Sequence, residues 1–185
     1  TKVLKAPIRS SSFLSDDVLS QVFENNSLPR LLIGHTRAAT KGSPSNNDNN
    51  HPVYCKETGT VLVHNGVISN DDEKFKELEM PRLAQVDTEV LQRLYDKAGV
   101  KATIEERVNF LGQHAKGSYA CAAISTKRPL ELTLFRHNNP IEMIYNEYDK
   151  TIWFASVESY LKDARSYWGP IPWGARSREL PDNSW

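Results

Sequence analysis

The sequence has 185 residues, of which 39% are hydrophobic and 25% are charged, a composition that predicts one globular domain large enough to bury a core. The 23 basic residues balance the 23 acidic ones, and this net charge of zero argues against binding to nucleic acid or to an anionic membrane surface. No apolar run approaches the roughly 20 residues of a membrane span, and two cysteines are too few for a disulfide framework. We therefore expect a cytoplasmic protein that contacts neither nucleic acid nor membrane.

The first third of the chain predicts strands with one helix between them. Residues 2–8 favour a strand, and Ser15 followed by two acids favours the start of a helix, because serine caps a helix and acids suit the positive end of its dipole. Residues 30–36 are predicted to form the first clearly buried strand. Residues 53–55 and 61–64 predict a hairpin around a turn that contains glycine.

The middle of the chain predicts three helices. They cover residues 70–79, residues 87–97 and a segment that begins after Thr103. Thr103 and Glu106 have the spacing of a capping box, in which each side chain bonds the backbone N–H of the other residue.

The last third is predicted to be rich in strands. Residues 118–125 are almost continuously small and apolar, which is typical of a strand covered on both faces. Further strands are predicted at residues 130–135, 141–145 and 151–155, and a helix at residues 157–165. This order of elements indicates an α+β protein. We expect residues 1–166 to form the domain and residues 167–185 to form an extension that packs on it through Trp168 and Trp173.

Two apolar runs each lead into a polar tripeptide. Residues 31–33 precede His-Thr-Arg at 35–37, and residues 61–63 precede His-Asn-Gly at 64–66. Buried strands that carry chemistry at their ends have this pattern, because a rigid strand holds the polar groups in place. We expect both tripeptides to lie at the C-terminal ends of their strands.

Four linked motifs resemble the class II glutamine amidotransferase domain, a member of the N-terminal-nucleophile hydrolases. They are Gly-His-Thr-Arg at 34–37 with Ala39-Thr40, Asn-x-His-Pro at 49–52, His-Asn-Gly at 64–66 with Ile68 and Asn70, and Asp-Thr-Glu at 87–89. Weaker matches at 117–120 and 154–156 extend the resemblance over most of the chain. Four motifs in the family's order are far more specific than any one of them alone.

The resemblance implies a fold and a set of residue roles. The fold is α+β, the four-layer αββα sandwich of the N-terminal-nucleophile hydrolases, with the family's first strands absent from this chain. The function is release of ammonia from glutamine, with no cofactor. Arg37 would bind the α-carboxylate as a bidentate fork and Asp87 the α-ammonium group. The Asn65 side chain and the Gly66 N–H would hold the oxyanion.

Two further motif residues would support that site. Thr40 would orient the loop and His64 would orient the neighbouring asparagine. Glutamine is the partner that the resemblance implies. An ammonia acceptor would lie on another chain, or the products would simply be glutamate and ammonia.

The family's nucleophile is an N-terminal cysteine, which would lie a few dozen residues before Thr1. Three hypotheses follow from its absence here. The cysteine belongs to a longer or companion chain; the protein is a catalytically dead module that binds a ligand or a partner; or Thr1 is itself the nucleophile. Since Thr1 lies only 36 residues before Arg37, too near to leave room for the family's first hairpin and helix, the third is the weakest.

Each site residue also has a structural interpretation. Arg37 alone would be a solvated surface residue, Asn65-Gly66 alone a hairpin turn, and Asp87 alone a helix N-cap. We also considered zinc, since three histidines and Cys55 lie in this region, but their spacing matches no closed zinc site. We expect no metal, and we expect Cys55, like Cys121, to be structural rather than nucleophilic.

Overall fold

The order of the elements follows from a computed structural model, which describes residues 2–23, 29–79, 81–99, 101–147, 149–167 and 177–185. The helices are α1 (Ser10–Phe13), α2 (Asp16–Val22), α3 (Asp71–Glu77), α4 (Thr88–Lys97), α5 (Ile104–His114) and α6 (Glu158–Tyr167). The strands are β1 (Val53–Tyr54), β2 (Thr60–Ile68), β3 (Gly117–Ser125), β4 (Arg128–His137), β5 (Glu142–Asn146), β6 (Thr151–Ala155) and β7 (Arg178–Glu179). No described helix is long and apolar enough to cross a membrane.

The strands form two antiparallel sheets. The first has the order β1-β2-β3-β4 and the second has the order β6-β5-β7. In the first sheet β2 and β3 pair along their whole length, with His64 opposite Cys121 and Asn65 opposite Ala120. This register places the His-Asn-Gly segment inside β2, paired with β3 on one side.

The two faces of β3 pack against different layers. On one face, Cys121 and Phe135 belong to a core that includes Val90, Leu91 and Leu111 of α4 and α5. On the other face, Ala120 of β3 packs with Ile141 and Leu180, beside Met143 and Phe154 of the second sheet. Helix α6 packs on β5 and β6. The layers therefore run helix, sheet, sheet, helix, and the α+β prediction is confirmed.

Several predicted elements are confirmed. The hairpin of β1 and β2, the three central helices and the strands β3 to β6 lie where their patterns place them. The capping box of α5 is present, since Thr103 accepts from the Glu106 N–H at 3.1 Å and the Glu106 carboxylate accepts from the Thr103 N–H at 2.8 Å. These elements form as predicted because their signals are local to the chain.

Three sequence predictions about strands were wrong. Residues 2–8 and 30–36 form no strand, and Leu32 is 60% exposed. An apolar run becomes a strand only beside a hydrogen-bonding partner, and no described strand pairs with residues 31–39. The residues at 64–66 lie inside β2 rather than at its end, because β3 pairs with them.

The C-terminal segment contributes to the second sheet. Residues 178–179 pair with β5, and Leu180 is buried between the two sheets. The proposed contacts of Trp168 and Trp173 lie outside the described residues.

Candidate functional site

One edge of β2 is the centre of the candidate site. Strand β1 pairs only with Val61 and Leu62, so from His64 to Ile68 no described strand borders this edge. The Ile68 N–H points away from β3 and donates to Asp87 Oδ2 at 2.7 Å. Since N–H groups alternate sides along a strand, the Gly66 N–H, two residues earlier, points to the same open edge.

Asp87 lies at the N-cap position of α4, but its carboxylate caps nothing. It instead accepts from the Ile68 N–H, and Asp87 is only 6% exposed. The helix-cap interpretation therefore places Asp87 correctly at the start of α4, but it assigns the carboxylate the wrong hydrogen-bond partner. The Asp87 carboxylate therefore faces the open edge of β2. No local sequence pattern predicts this contact, because Asp87 and Ile68 are separated by 19 positions.

Arg37 is not a solvated surface residue. Its Nη2 atom donates to the carbonyl oxygens of Lys41 and, at 3.2 Å, Gly42. Its Nη1 atom is buried and has no hydrogen-bond partner among the described residues. Burial lowers the pKa of Arg37, and the charge of Asp87 opposes that change. The Arg37 guanidinium therefore has one nitrogen, Nη1, without a hydrogen-bond partner among the described residues, and the charge of Asp87 acts on this guanidinium.

The backbone at Gly66 excludes any side chain. Its φ is +146°, and a Cβ atom built there would lie 2.0 Å from the Ser118 carbonyl oxygen and 2.8 Å from His64 Nε2. Glycine is therefore required by the close approach of β3. Because Asn65 and Gly66 lie within this ladder, the hairpin-turn interpretation of Asn-Gly was wrong.

A chain of hydrogen bonds links three histidines behind this edge. The Nδ1 atoms of His35 and His51 lie 3.1 Å apart, and His51 Nε2 lies 2.8 Å from Thr88 Oγ1. The same Thr88 oxygen lies 3.1 Å from Nδ1 of His64. Thr88 is 1% exposed and His64 is 3% exposed. The chain joins the loop before β1 to the strand that carries the oxyanion candidates.

Sequence reasoning gave Thr88 and His51 no role. Thr88 could have been found from its place in the Asp-Thr-Glu motif, and His51 from Asn-x-His-Pro, but neither motif indicates that the two side chains meet. Thr40, by contrast, is exposed, and its side chain joins none of these contacts among the described residues.

The loop that holds Arg37 is tied to two other elements. Lys41, whose carbonyl accepts from Arg37, pairs through Nζ with Asp71 at 2.6 Å. Asn49, which is 0% exposed, accepts from the Gln85 N–H at 2.8 Å and donates to the Ser43 carbonyl at 2.9 Å. The position of the guanidinium therefore depends on α3 and on the segment before α4.

Burial favours the neutral forms of the three linked histidines. Burial lowers the pKa of His35 to about 4, although a hydrogen bond to the backbone of His64 opposes this change. Burial, and then the neighbouring histidines and Arg37, lower the pKa of His51 well below 6.5. Burial also lowers the pKa of His64, against the charge of Asp87. A network of neutral rings accepts hydrogen bonds that imidazolium could not.

We expect the free energy of unfolding to fall as the pH drops from about 6.5 towards about 5, a range above that of ordinary carboxylates. The folded-state pKa values of these histidines lie below the unfolded value, so the unfolded chain binds more protons in this range. Urea unfolding at several pH values measures the slope. In His51→Gln, which cannot titrate, the slope should be smaller; an unchanged slope would show that His51 does not contribute.

Neither cysteine is placed to act as a nucleophile. Cys55 is buried just after β1, not within a strand as predicted, and donates to the Glu57 carboxylate at 3.1 Å. Cys121 is 1% exposed, and burial raises its thiol pKa well above the usual value. Among the described residues no three side chains of metal-binding type converge on a common point. Thr1 lies outside the described residues.

Comparisons with known proteins agree with this arrangement. A family model described as a glutamine amidotransferase domain matches residues 35–163. The glutamine--fructose-6-phosphate aminotransferase of Chlamydia trachomatis is 31% identical over 156 residues, which cover 82% of this chain and 24% of that protein. The protein of the same name from Aeropyrum pernix is 34% identical over 116 residues, 60% of this chain and 19% of that protein. The chain spans about a quarter or less of these relatives.

A solved structure shares the fold. Glutamine phosphoribosylpyrophosphate amidotransferase from B. subtilis aligns with a TM-score of 0.60 at 22% identity, over 80% of this chain and 30% of that chain. The likeness shows a shared fold, and the layers of this chain run helix, sheet, sheet, helix. With the family model matching well over half of its residues, this chain belongs to the class II glutamine amidotransferase domain family.

Proposed function

We propose that the open edge of β2 binds glutamine and that the intact protein releases ammonia from its side-chain amide. One observation carries the proposal. The unpartnered Nη1 of Arg37, the Asp87 carboxylate and the Gly66 N–H all belong to this edge or its immediate surroundings. An amino acid presents opposite charges on one carbon, and these residues supply the complement of both.

Arg37 binds the α-carboxylate of glutamine and Asp87 binds the α-ammonium group. A two-bond fork on a guanidinium uses Nη2 together with either Nε or Nη1, and here Nη2 is engaged by two loop carbonyls. Nη1 has no hydrogen-bond partner among the described residues but is itself buried, so the ligand reaches the fork only when the surrounding segment moves. A full fork forms only when Nη2 leaves a carbonyl of the 41–42 loop, so glutamine binding rearranges that loop.

The Asn65 side-chain amide and the Gly66 N–H hold the oxygen that becomes negative during attack. The Asn65 side chain is exposed at the same part of β2, free of the core. His64 and Thr88 support the strand from behind, through their 3.1 Å contact. Preorganised donors of this kind stabilise a developing charge without having to rearrange.

The nucleophile is the thiol of an N-terminal cysteine that precedes this sequence, with its own α-amine as the base. The thiolate attacks the amide carbon, the carbon–nitrogen bond breaks and ammonia leaves with the transferred proton. Water then hydrolyses the thioester to glutamate. The burial of Cys55 and Cys121 supports a nucleophile from outside. The reaction needs no metal or cofactor.

The destination of the ammonia lies outside this domain. The relatives are several times longer than this chain, and their name includes fructose-6-phosphate. We propose that the ammonia passes to an acceptor site elsewhere in the intact protein or on a companion chain. Without such a site the products are free glutamate and ammonia.

A second candidate is a module that binds glutamine, or a partner, without chemistry. The observation that favours it is that both cysteines of this chain are buried in structural positions, while Nη1 of Arg37 has no hydrogen-bond partner among the described residues. Glutamine binding without ammonia release by the natural protein would establish this function.

Replacing Arg37 with alanine should weaken glutamine binding at least about tenfold, because a charge-assisted hydrogen bond contributes about 1.5–3 kcal/mol. Isothermal titration of this chain with L-glutamine measures the dissociation constant without requiring the nucleophile. Arg9→Ala, at an exposed arginine just before α1, is the matched control, and this variant should bind glutamine as the parent chain does.

The same titration tests the assignment of Arg37 and the glutamine binding on which both candidate functions depend. If the parent chain binds glutamine and Arg37→Ala binds equally well, the assignment of the anchor is wrong. If the parent binds no glutamine, both candidate functions that depend on this amino acid fail. An ammonia assay on the natural protein then decides between the enzyme and the binding module.

A further inference from the structure

Asn139 contacts the backbone of the proposed oxyanion site from a distant part of the chain. Its Nδ2 atom donates to the Asn65 carbonyl oxygen at 2.8 Å, across 74 positions of sequence. A carbonyl oxygen only accepts, so it is the amide nitrogen of Asn139 that faces it. Asn139 follows β4, and β2 lies on the far side of β3 in the same sheet.

The bonded carbonyl belongs to the same peptide unit as the Gly66 N–H. A trans peptide is planar, and its C=O and N–H point in opposite directions. Fixing the carbonyl of Asn65 therefore fixes the direction of the Gly66 N–H. Since this carbonyl accepts on one side of the strand, the N–H is aimed to the other, towards the open edge with Asp87.

The Asn139 bond holds this peptide in addition to the ladder with β3, in which Asn65 lies opposite Ala120. Glycine permits a wide range of backbone angles, and Gly66 has a φ of +146°. The register with β3 already limits rotation of this peptide, and the hydrogen bond from Asn139 adds a second constraint on its carbonyl. A hydrogen bond to the carbonyl also polarises the N–H of the same unit, which strengthens it as a donor.

The corner that carries Asn139 is itself anchored. The Asn138 N–H donates to Asp182 Oδ1 at 2.7 Å, and His137 Nδ1 lies 2.6 Å from Asn183 Oδ1. Asn138 also forms a bridge with Tyr119 of β3. The C-terminal segment therefore braces the turn from which Asn139 reaches the Asn65 carbonyl.

We propose that Asn139 is a positioning residue that orients the Asn65–Gly66 peptide so that the Gly66 N–H stabilises the oxyanion. The proposal rests on the proposed glutaminase function. Asn139 touches neither the substrate nor the reacting atoms in this role. A purely structural asparagine would instead affect the stability of the turn and leave the balance between kcat and KM unchanged.

Two variants test the proposal in the natural, full-length protein. Asn139→Ala deletes the donor, and Asn139→Asp keeps the shape while placing an acceptor against a carbonyl. Each should lower kcat about tenfold, which is less than the roughly 10²–10³-fold effect of removing an oxyanion donor outright. KM should stay within about twofold of the parent value. Asn109→Asp, at an exposed position of α5, repeats the charge change as a control and should retain full activity.

A second readout does not depend on turnover. In this chain the Gly66 amide should change its ¹H and ¹⁵N chemical shifts and exchange faster with solvent in both Asn139 variants, and not in Asn109→Asp. If the natural protein shows no glutaminase activity, the proposed function fails, and the Gly66 amide still decides whether Asn139 orients the peptide.

Three results would overturn the inference. The first is an unchanged kcat in both Asn139 variants of an active enzyme. The second is a parallel loss of thermal stability and of glutamine affinity, which marks a structural role. The third is a Gly66 amide whose shift and exchange rate match those of the parent chain.

Discussion

Replacing Asn65 with alanine is expected to lower kcat for glutamine hydrolysis by about 10²–10³-fold, with little change in KM. The side-chain amide donates to an oxygen that carries negative charge only in the transition state, so its loss affects the chemical step more than substrate binding. The Asn65 side chain is exposed, so its removal should leave the fold intact. Steady-state kinetics of the natural protein, with thermal unfolding alongside, measure both parameters.

A neighbouring residue provides the control for Asn65. Val67 lies on the same face of β2, is 49% exposed and carries no donor, so Val67→Ala should leave kcat almost unchanged. A variant at Asn65 that raises KM while kcat stays constant would mean that Asn65 contacts the ground-state substrate. The oxyanion assignment would then be wrong.

Replacing Gly66 with alanine is expected to destabilise the protein by on the order of 3 kcal/mol or more, from backbone strain and steric overlap together. The added Cβ would lie 2.0 Å from the Ser118 carbonyl oxygen, which is backbone in a paired strand and cannot move aside cheaply. The effect is a large part of the stability of an ordinary domain, about 5–15 kcal/mol. Urea unfolding measures it as a lower midpoint.

Gly112 supplies the matched comparison. It lies in α5, and a Cβ there would meet only Tyr119 Oη at 3.5 Å, an ordinary contact. Gly112→Ala should therefore be neutral or stabilise the protein by up to about 1 kcal/mol, since alanine favours helices. Equal effects at both glycines would show that the close approach of β2 and β3 at Gly66 has been misjudged.

The local elements could be predicted because their signals lie within a few residues. The box of Thr103 and Glu106 starts α5 as its spacing indicates. The apolar run at 31–33 illustrates the limit of such signals. Its composition favours a strand, but strand formation depends on a partner, and that is a property of the tertiary arrangement.

The motif residues could be named from the sequence, whereas their contacts could not. Nothing near Asp87 indicates that its carboxylate accepts from the Ile68 N–H rather than capping α4. Arg37 could be identified as a candidate anchor, but the engagement of its Nη2 by loop carbonyls depends on how residues 41–42 fold back. Asn139 has no motif signal, because its partner lies 74 positions away.

The sequence by itself determined the family, the α+β class and the identities of the candidate site residues, because these depend on local patterns and on motifs in order. Only the tertiary structure decided which strands pair, that no described strand borders the edge beside Gly66, and that Thr88 joins His51 to His64. The physical reason is that hydrogen bonds and close approaches between distant segments arise from sheet register and layer packing, which no short stretch of the chain specifies alone.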